Sequence, residues 1–322
     1  MSINVELDSL VSSDLLIMKE FIHKNINVDI LPANDIISHF MQSGGKRIRP
    51  KLIFIICKML GYSGQDRVNI AAAVEFIHNA TLLHDDVLDE SNARHGIETI
   101  NKIWGNKLSI LVGDLLLTIA FRWLIECGNL NVLSILSEAS NYLVNGEIRQ
   151  MNAYFNPKEM KQNYFCIIQQ KTASLFSACC EAASVVSGAT KNEIEKLKNF
   201  GLNFGIAFQI VDDVLDYISN ESTSGKQIGK DFLDGKITLP AIIAYDQGNA
   251  EEKEFWQRSF SSTKRDFNQA LYYINKSNAI QLSIEQAKYY VNIAKSSIST
   301  FTDSIYKIVL TNFLNASIER EM

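Results

Sequence analysis

The pentapeptide Asp-Asp-Val-Leu-Asp occurs twice in this chain, at Asp85–Asp89 and again, 127 residues later, at Asp212–Asp216. Each copy ends a strongly apolar run, AAAVEFIHNATLLH before the first and FGIAFQIV before the second. On a helix, residues four apart share a face. Asp85 and Asp89 therefore point one way with Asp86 beside them, and Asp212 and Asp216 do the same with Asp213. Carboxylates crowded at the end of an apolar helix repel one another and resist burial. A hard divalent cation relieves both costs, and an all-oxygen donor set without cysteine favours Mg²⁺ over zinc. The plain alternative is a pair of solvated acidic helix ends; two copies, each behind an apolar helix, make it the weaker reading. An EF-hand is excluded, because the sixth position counted from Asp85 is Glu90 and the twelfth is Gly96.

The rest of the chain is patterned for helices. Sixteen glycines and four prolines among 322 residues are about half the usual share. Apolar periodicity predicts helices over 9–28, 33–42, 50–60, 67–90, 107–127, 130–150, 159–187, 191–219, 238–247, 251–275, 278–300 and 303–317. No stretch alternates as a sustained strand. Breaks fall at SGGKRIRP (43–50), GYSG (61–64), after Glu90, at YFNP (154–157) and in SNESTSGKQIGKDFLDGK (219–236). No Pro/Ser/Gly-rich linker divides the chain, so the expectation is one all-α domain over residues 1–322.

A net charge of -5 gives no general attraction to nucleic acid. The five cysteines form no CxxC pair and sit in apolar helical contexts, as buried thiols of a reducing compartment do. The opening MSINVELDSLVSSD has no signal-peptide pattern, and LSILVGDLLLTIAF is interrupted by a charge. These features predict a soluble, cytoplasmic protein without a membrane span.

Four basic features stand out: Gly44-Gly45-Lys46-Arg47-Ile48-Arg49-Pro50; Arg94-His95-Gly96 beyond the first aspartates; Lys171-Thr172; and Lys226, Lys230 and Lys236 after the second. Each alone reads as a solvated surface feature. Set beside two predicted Mg²⁺ sites, they suggest a diphosphate held between cations and metal. Pro50 could begin a helix whose N-terminus also favours an anion.

SGGKRIRP, LLHDDVLDESNARHG, GDLLLTIAF, KTASLF, AFQIVDDVLDY and GKITLP resemble, in this order, the signatures of the trans-polyprenyl diphosphate synthase family. The resemblance runs from about residue 40 to 245, and within the family it is greatest to bacterial octaprenyl diphosphate synthases. It implies the isoprenoid synthase fold, a bundle of antiparallel helices around a deep central cavity, in a homodimer. It implies isopentenyl diphosphate and an allylic diphosphate as substrates, several Mg²⁺ ions per site, and isoprenoid biosynthesis with ubiquinone as the process served. Asp85, Asp89 and Asp212 would be the main Mg²⁺ ligands, and Asp86, Asp213 and Asp216 weaker or indirect ones. Arg94, Lys171, Lys226 and Lys236 would hold the allylic diphosphate. Lys46, Arg49, His78 and His95 would hold isopentenyl diphosphate. Lys171, Thr172 and Gln209 would lie near the developing carbocation. The family pattern has a second arginine where this chain has His95. A histidine lacks the guanidinium fork and is only partly charged near neutrality, so weaker isopentenyl diphosphate binding is expected, improving as pH falls toward about 6.

The growing tail would run down the first aspartate helix past Thr81 and Ala80, with Ile77 and Val74 deeper. Small residues there imply a long product of about eight units; the plain alternative is that they are small for helix packing. His84 reads as a structural hydrogen-bonding residue. Competing readings are a synthase of farnesyl or geranylgeranyl length, a terpene cyclase-like enzyme (against which GGKRIRP argues) and a subunit of a heteromeric synthase (against which six retained aspartates argue). Release of a greasy product would allow transient membrane contact.

Overall fold

The computed structural model describes residues 3–26, 31–42, 45–94, 97–153, 156–218, 228–261 and 265–318. They are almost entirely helical. In chain order the helices are α1 Ile3–Asn25, α2 Leu31–Gln42, α3 Ile48–Met59, α4 Asp66–Leu88, α5 Ile100–Trp104, α6 Asn106–Glu126, α7 Leu130–Ala153 and α8 Pro157–Ile168. After a π-helical turn at Gln169–Ala173 come α9 Ser174–Val186, α10 Lys191–Ile218, α11 Lys230–Asp234, α12 Leu239–Gln247, α13 Ala250–Ser261, α14 Phe267–Lys276, α15 Ala279–Ile298 and α16 Ile305–Ile318. Among the described residues the one sheet is a two-residue antiparallel ribbon, β1 Ala93–Arg94 with β2 Ile97–Glu98.

The expected helix over 251–275 is two helices. Asp266 is the reason at the second start: its side chain accepts from the Gln269 N–H at 3.0 Å and caps α14. The expected helix over 159–187 is interrupted by the π turn. The short α5 and α11 were not anticipated.

The chain falls into two compact units. The first comprises Met1–Ser140, Ala178–Lys198 and Phe301–Phe313; the second comprises Asn141–Ser177, Asn199–Thr300 and Leu314–Met322.

In the first unit α4 is central, packing on α1, α3 and α6. Its Ala71-Ala72-Ala73 run is fully buried, and alanines let neighbouring helices approach closely. Trp123 of α6 lies between Phe21 of α1 and Phe76 of α4, with ring centroids 5.3 and 4.7 Å away. A charged clasp fixes α1: buried Asp14 pairs with Lys58 and Arg67, each at 2.9 Å. Breaking one partner of such a group leaves a buried charge uncompensated.

By length and composition α6 could cross a bilayer, but 44 % of its apolar window is buried within the protein, and Asp114 lies midway along it. Its outward side presents Ile110, Leu111 and Ile125.

In the second unit an aromatic core gathers Trp256 and Phe260 of α13, Phe232 of α11 and Phe267 of α14. The later part of α10, with the second aspartate motif, packs its apolar residues Ile210, Val211 and Tyr217 into the same cluster.

Candidate active site

The first aspartate motif occupies the last turn of α4. A stripe of this helix keeps solvent access: Glu75, His78, Thr81, Asp85 and Asp89 are all half-buried. Val74, Ile77 and Ala80 lie on the packed side, with 0 % exposure. Of the four residues expected beside a growing tail, Thr81 alone shares the open side with Asp85. Its hydroxyl is turned back to its own helix, donating to the His78 carbonyl at 2.7 Å.

The basic loop meets this stripe. Helix α3 starts at Ile48, two residues earlier than expected, after Arg47 in the left-handed region (φ 46°). Pro50 therefore sits within the first turn, where its missing N–H costs nothing. Arg49, in the same first turn, lies within electrostatic reach of Glu75 and His78. Desolvation lowers the Arg49 guanidinium from its ordinary value, opposed by Cys179 and Glu75. Desolvation raises Glu75, opposed by Arg47, Arg49 and Lys51. Desolvation, then Arg49 and Arg94, hold His78 well below the usual histidine range. That shift favours the neutral imidazole, which offers one donor and one acceptor. Lys46 is exposed.

Beyond the motif the chain turns sharply. The Ser91 N–H bonds the Asp86 carbonyl at 2.9 Å and the Glu90 N–H the Val87 carbonyl at 3.3 Å, with Glu90 left-handed (φ 48°). Thr99 and Asn101 both donate to the Ser91 carbonyl, at 2.6 and 3.2 Å, and anchor the ribbon that follows. Arg94 reaches back from this ribbon. Its Nε and Nη2 donate to one oxygen of buried Asp86, at 3.1 and 2.9 Å. His95 and Gly96 lie outside the described residues. His84 packs on Gly113, where any side chain would collide with its ring, and its Nε2 lies 3.1 Å from the Ile110 carbonyl.

The second motif lies in the last two turns of α10. Facing it, the π turn opens the backbone at Lys171 and Thr172. Such single turns occur where a helix must re-aim side chains, often at functional sites. Two glycines make room: a Cβ on Gly146 would lie 2.7 Å from the Lys171 nitrogen, and one on Gly205 would lie 2.5 Å from the Ala173 Cα. Lys171 pairs with Glu147 of α7. Thr172 donates to the Gln209 carbonyl oxygen at 2.7 Å, and Gln209 Nε2 donates to Asp213 Oδ1 at 2.8 Å. Tyr164 of α8 donates to Asp213 Oδ2 at 2.6 Å. Burial pushes the Asp213 carboxyl well above the usual range, with Asp231 and Asp212 adding to it and the two hydrogen bonds opposing. Asp212 is exposed.

After residues 219–227 the chain returns to the helix end. The Gly229 N–H bonds the Asp216 carbonyl at 2.8 Å, and the Asp231 N–H bonds Asp216 Oδ2 at 3.1 Å. Gly229 must be glycine twice over, for its φ of 73° and because a Cβ would strike the Phe267 ring. Lys230 and Lys236 are half-buried near this return; Lys226 lies outside the described residues.

Among the described residues no three or more His, Cys, Asp or Glu side chains form a ready-made metal cage. The donors nonetheless fit a hard cation that keeps water or substrate oxygens in its shell. Asp85 and Asp89 are an i, i+4 pair on the accessible stripe, and Asp212 is exposed. Asp86 and Asp213 are buried and committed to Arg94, Tyr164 and Gln209. The cysteines are free, and burial pushes the Cys57 and Cys179 thiols up to about 12. Four contributors had escaped the sequence reading: Glu75, Glu147, Tyr164 and Asp231. A signal existed for one of them: Glu75 is three residues before His78, a spacing that returns to the same helical face.

Residues 32–275 match the polyprenyl synthetase family. An octaprenyl diphosphate synthase of Haemophilus influenzae is 35 % identical over 317 residues, covering 98 % of this chain and 96 % of its own. A decaprenyl diphosphate synthase structure from Rhodobacter capsulatus superposes with a TM-score of 0.94 at 33 % identity, covering 99 % of each chain. A polyprenyl synthase from Caulobacter crescentus, complexed with calcium and isoprenyl diphosphate, gives 0.92 at 34 % identity over 99 % of this chain and 98 % of its own. The all-α fold is therefore the isoprenoid synthase fold. The chain belongs to the polyprenyl synthetase family: it is a prenyltransferase of the long-chain trans-polyprenyl diphosphate synthase class.

Proposed function

We propose that the enzyme adds isopentenyl diphosphate units to an allylic diphosphate such as farnesyl diphosphate until the chain reaches about eight isoprene units, giving octaprenyl diphosphate. The observation that carries this reading is the open stripe of α4. One helix face presents His78, within electrostatic reach of Arg49 and Arg94, then the small Thr81, then Asp85 and Asp89. An anion site, a path for a tail and metal donors follow one another within four turns.

Asp85, Asp89 and Asp212 are the proposed Mg²⁺ ligands, several ions serving one reaction. The Caulobacter relative, complexed with calcium and isoprenyl diphosphate, supports a divalent cation and a prenyl diphosphate as ligands here. When bound, Mg²⁺ neutralises the diphosphate as it departs. Arg94, Lys171, Lys226 and Lys236 hold that diphosphate, and charge growing on it strengthens their grip in the transition state. Lys46, Arg49, His78 and His95 hold isopentenyl diphosphate, whose double bond attacks the allylic carbon. The proton then lost passes to the released diphosphate, so no side chain need act as base. Apolar walls keep water from the carbocation.

The enzyme acts as a single cytoplasmic domain and as a homodimer. The exposed Ile110, Leu111 and Ile125 of α6, with Leu130 at 79 % exposure, support a subunit contact. Its product supplies quinone tails such as that of ubiquinone and passes to a membrane by transient contact.

Purified protein supplied with farnesyl diphosphate, isopentenyl diphosphate and Mg²⁺ should yield octaprenyl diphosphate by chromatography. A farnesyl- or geranylgeranyl-length product, or none without a second subunit, would reject the assignment. Thr81→Phe should shorten the ladder while leaving stability nearly intact. Ala80→Phe should shorten it too, at a cost of about 1–3 kcal/mol from overpacking.

A further inference from the structure

Within the second unit, Tyr164, Asp213, Gln209 and Thr172 form one unbroken hydrogen-bond chain. Tyr164 Oη donates to Asp213 Oδ2 at 2.6 Å, Gln209 Nε2 to Asp213 Oδ1 at 2.8 Å, and Thr172 Oγ1 to Gln209 Oε1 at 2.7 Å. The direction of the chain is set at its buried end. Asp213 is 4 % exposed and Tyr164 is 3 % exposed, so neither can trade its partner for water. The phenol donates to one carboxyl oxygen and pins its plane. The other oxygen accepts from Gln209. That turns the amide so that its own oxygen faces Thr172. Thr172 has a single proton, and it is already given to Gln209. What the threonine has left to offer is lone pairs.

We propose that Tyr164 is a positioning residue: acting through Asp213 and Gln209, it holds Thr172 with its oxygen lone pairs, and not its proton, toward the reacting allylic carbon. The inference rests on the reading that Thr172 and Gln209 lie near that carbon. Positive charge develops there as the diphosphate leaves. A preoriented oxygen stabilises it without reorganising, whereas a hydroxyl free to rotate would first have to turn its proton away. The surroundings fit. The π turn that carries Thr172 is seated by close approach to Gly146 and Gly205, so its backbone is fixed. The neighbouring Lys171 pairs with Glu147 of α7.

The test is the single-turnover rate of the first condensation, measured on the full chain with saturating farnesyl diphosphate, isopentenyl diphosphate and Mg²⁺. Tyr164→Phe keeps the ring, including its edge-on contact with Phe165 at 5.2 Å, and removes only the hydroxyl. The rate should fall about tenfold, with apparent affinities for both substrates within about twofold of wild type. In a Thr172→Ser background, which keeps the hydroxyl, the same substitution should again cost about tenfold. In a Thr172→Val background, where the end of the chain is gone, it should cost less than about twofold. A tenfold loss in the valine background too would mark Tyr164 as merely structural and overturn the proposal, as would a Tyr164→Phe enzyme within about twofold of wild type. A wild-type protein that incorporates no isopentenyl unit would instead sink the functional reading beneath it.

Discussion

The two aspartate motifs share five letters and almost nothing else. At the first, the middle carboxylate, Asp86, is buried against a cation: Arg94 places two N–H groups on one of its oxygens. At the second, the middle carboxylate, Asp213, is buried against neutral donors, a phenol and an amide, with Asp231 and Asp212 close by. A guanidinium compensates a buried charge; a phenol and an amide only direct it. The helix ends differ as well. The first is closed by its own next residues, with Glu90 forced left-handed, while the second is closed by chain returning from residue 228 onward, through Gly229 and Asp231. Identical motifs thus present their outer aspartates from two unlike frames, one ion-paired and local, the other neutral and non-local.

The largest effect expected from this comparison separates outer from middle positions. Asp85→Asn and Asp212→Asn should each lower the condensation rate by about 10²–10³-fold, because each removes a carboxylate that the frames leave accessible to Mg²⁺. Asp86→Asn and Asp213→Asn should cost about tenfold less and should act by loosening the frames. Equal losses at all four positions, measured in steady-state assays across a Mg²⁺ titration, would break the distinction.

The helical architecture was legible because apolar periodicity dominates most of the chain, and the aspartate motifs were legible because three carboxylates beside an apolar run need an explanation. The frames were not. Tyr164 and Glu147 look like ordinary polar positions on long helices until packing brings Asp213 to one and Lys171 to the other. Asp231 was hidden in a loop whose return to Asp216 depends on one left-handed glycine. Helices as short as α5 and α11, five residues each, span little more than one turn and cannot show a period. The break between α13 and α14 escaped because apolar residues recur through Phe255, Phe267 and Tyr273, and Asp266 reads as a surface residue until its side chain is seen capping α14. The 0 % exposure of Val74, Ile77 and Ala80, against the half-buried Thr81, needed the neighbouring helices to be in place.

In the first frame the pH handle is an imidazole. His78 is held well below the usual histidine range by desolvation and by Arg49 and Arg94, with Glu75 the nearby carboxylate. An unfolded chain takes up that proton near pH 6.5, while the folded one resists it. The unfolded state therefore binds more protons below that point, so stability present above it is lost as pH falls. The slope is at most about 1.4 kcal/mol per pH unit. Glu75 and Asp213, both raised by burial, act in the opposite sense, so the His78 contribution is read as a difference: between about pH 7.5 and 5.5 the urea midpoint of wild type should drop relative to that of His78→Gln. Parallel curves would show that neither burial nor the two arginines hold the imidazole below its ordinary range.

The smallest effect concerns how the first frame closes. Glu90 sits at φ 48°, a conformation that costs a residue with a side chain roughly 1–2 kcal/mol relative to glycine. It is exposed, so the side chain gains little packing in return. The second frame uses Gly229 at φ 73° for a comparable reversal, and there the Phe267 ring leaves no room for anything larger. Glu90→Gly removes the strain but gives the unfolded chain more freedom, which offsets about 0.5–1 kcal/mol. The net expectation is a gain of about 0.5–1 kcal/mol, seen as a higher urea midpoint with an unchanged slope. A lower midpoint would mean that the Glu90 side chain contributes to the turn, and the first frame would then depend on more than its own backbone bonds and Arg94.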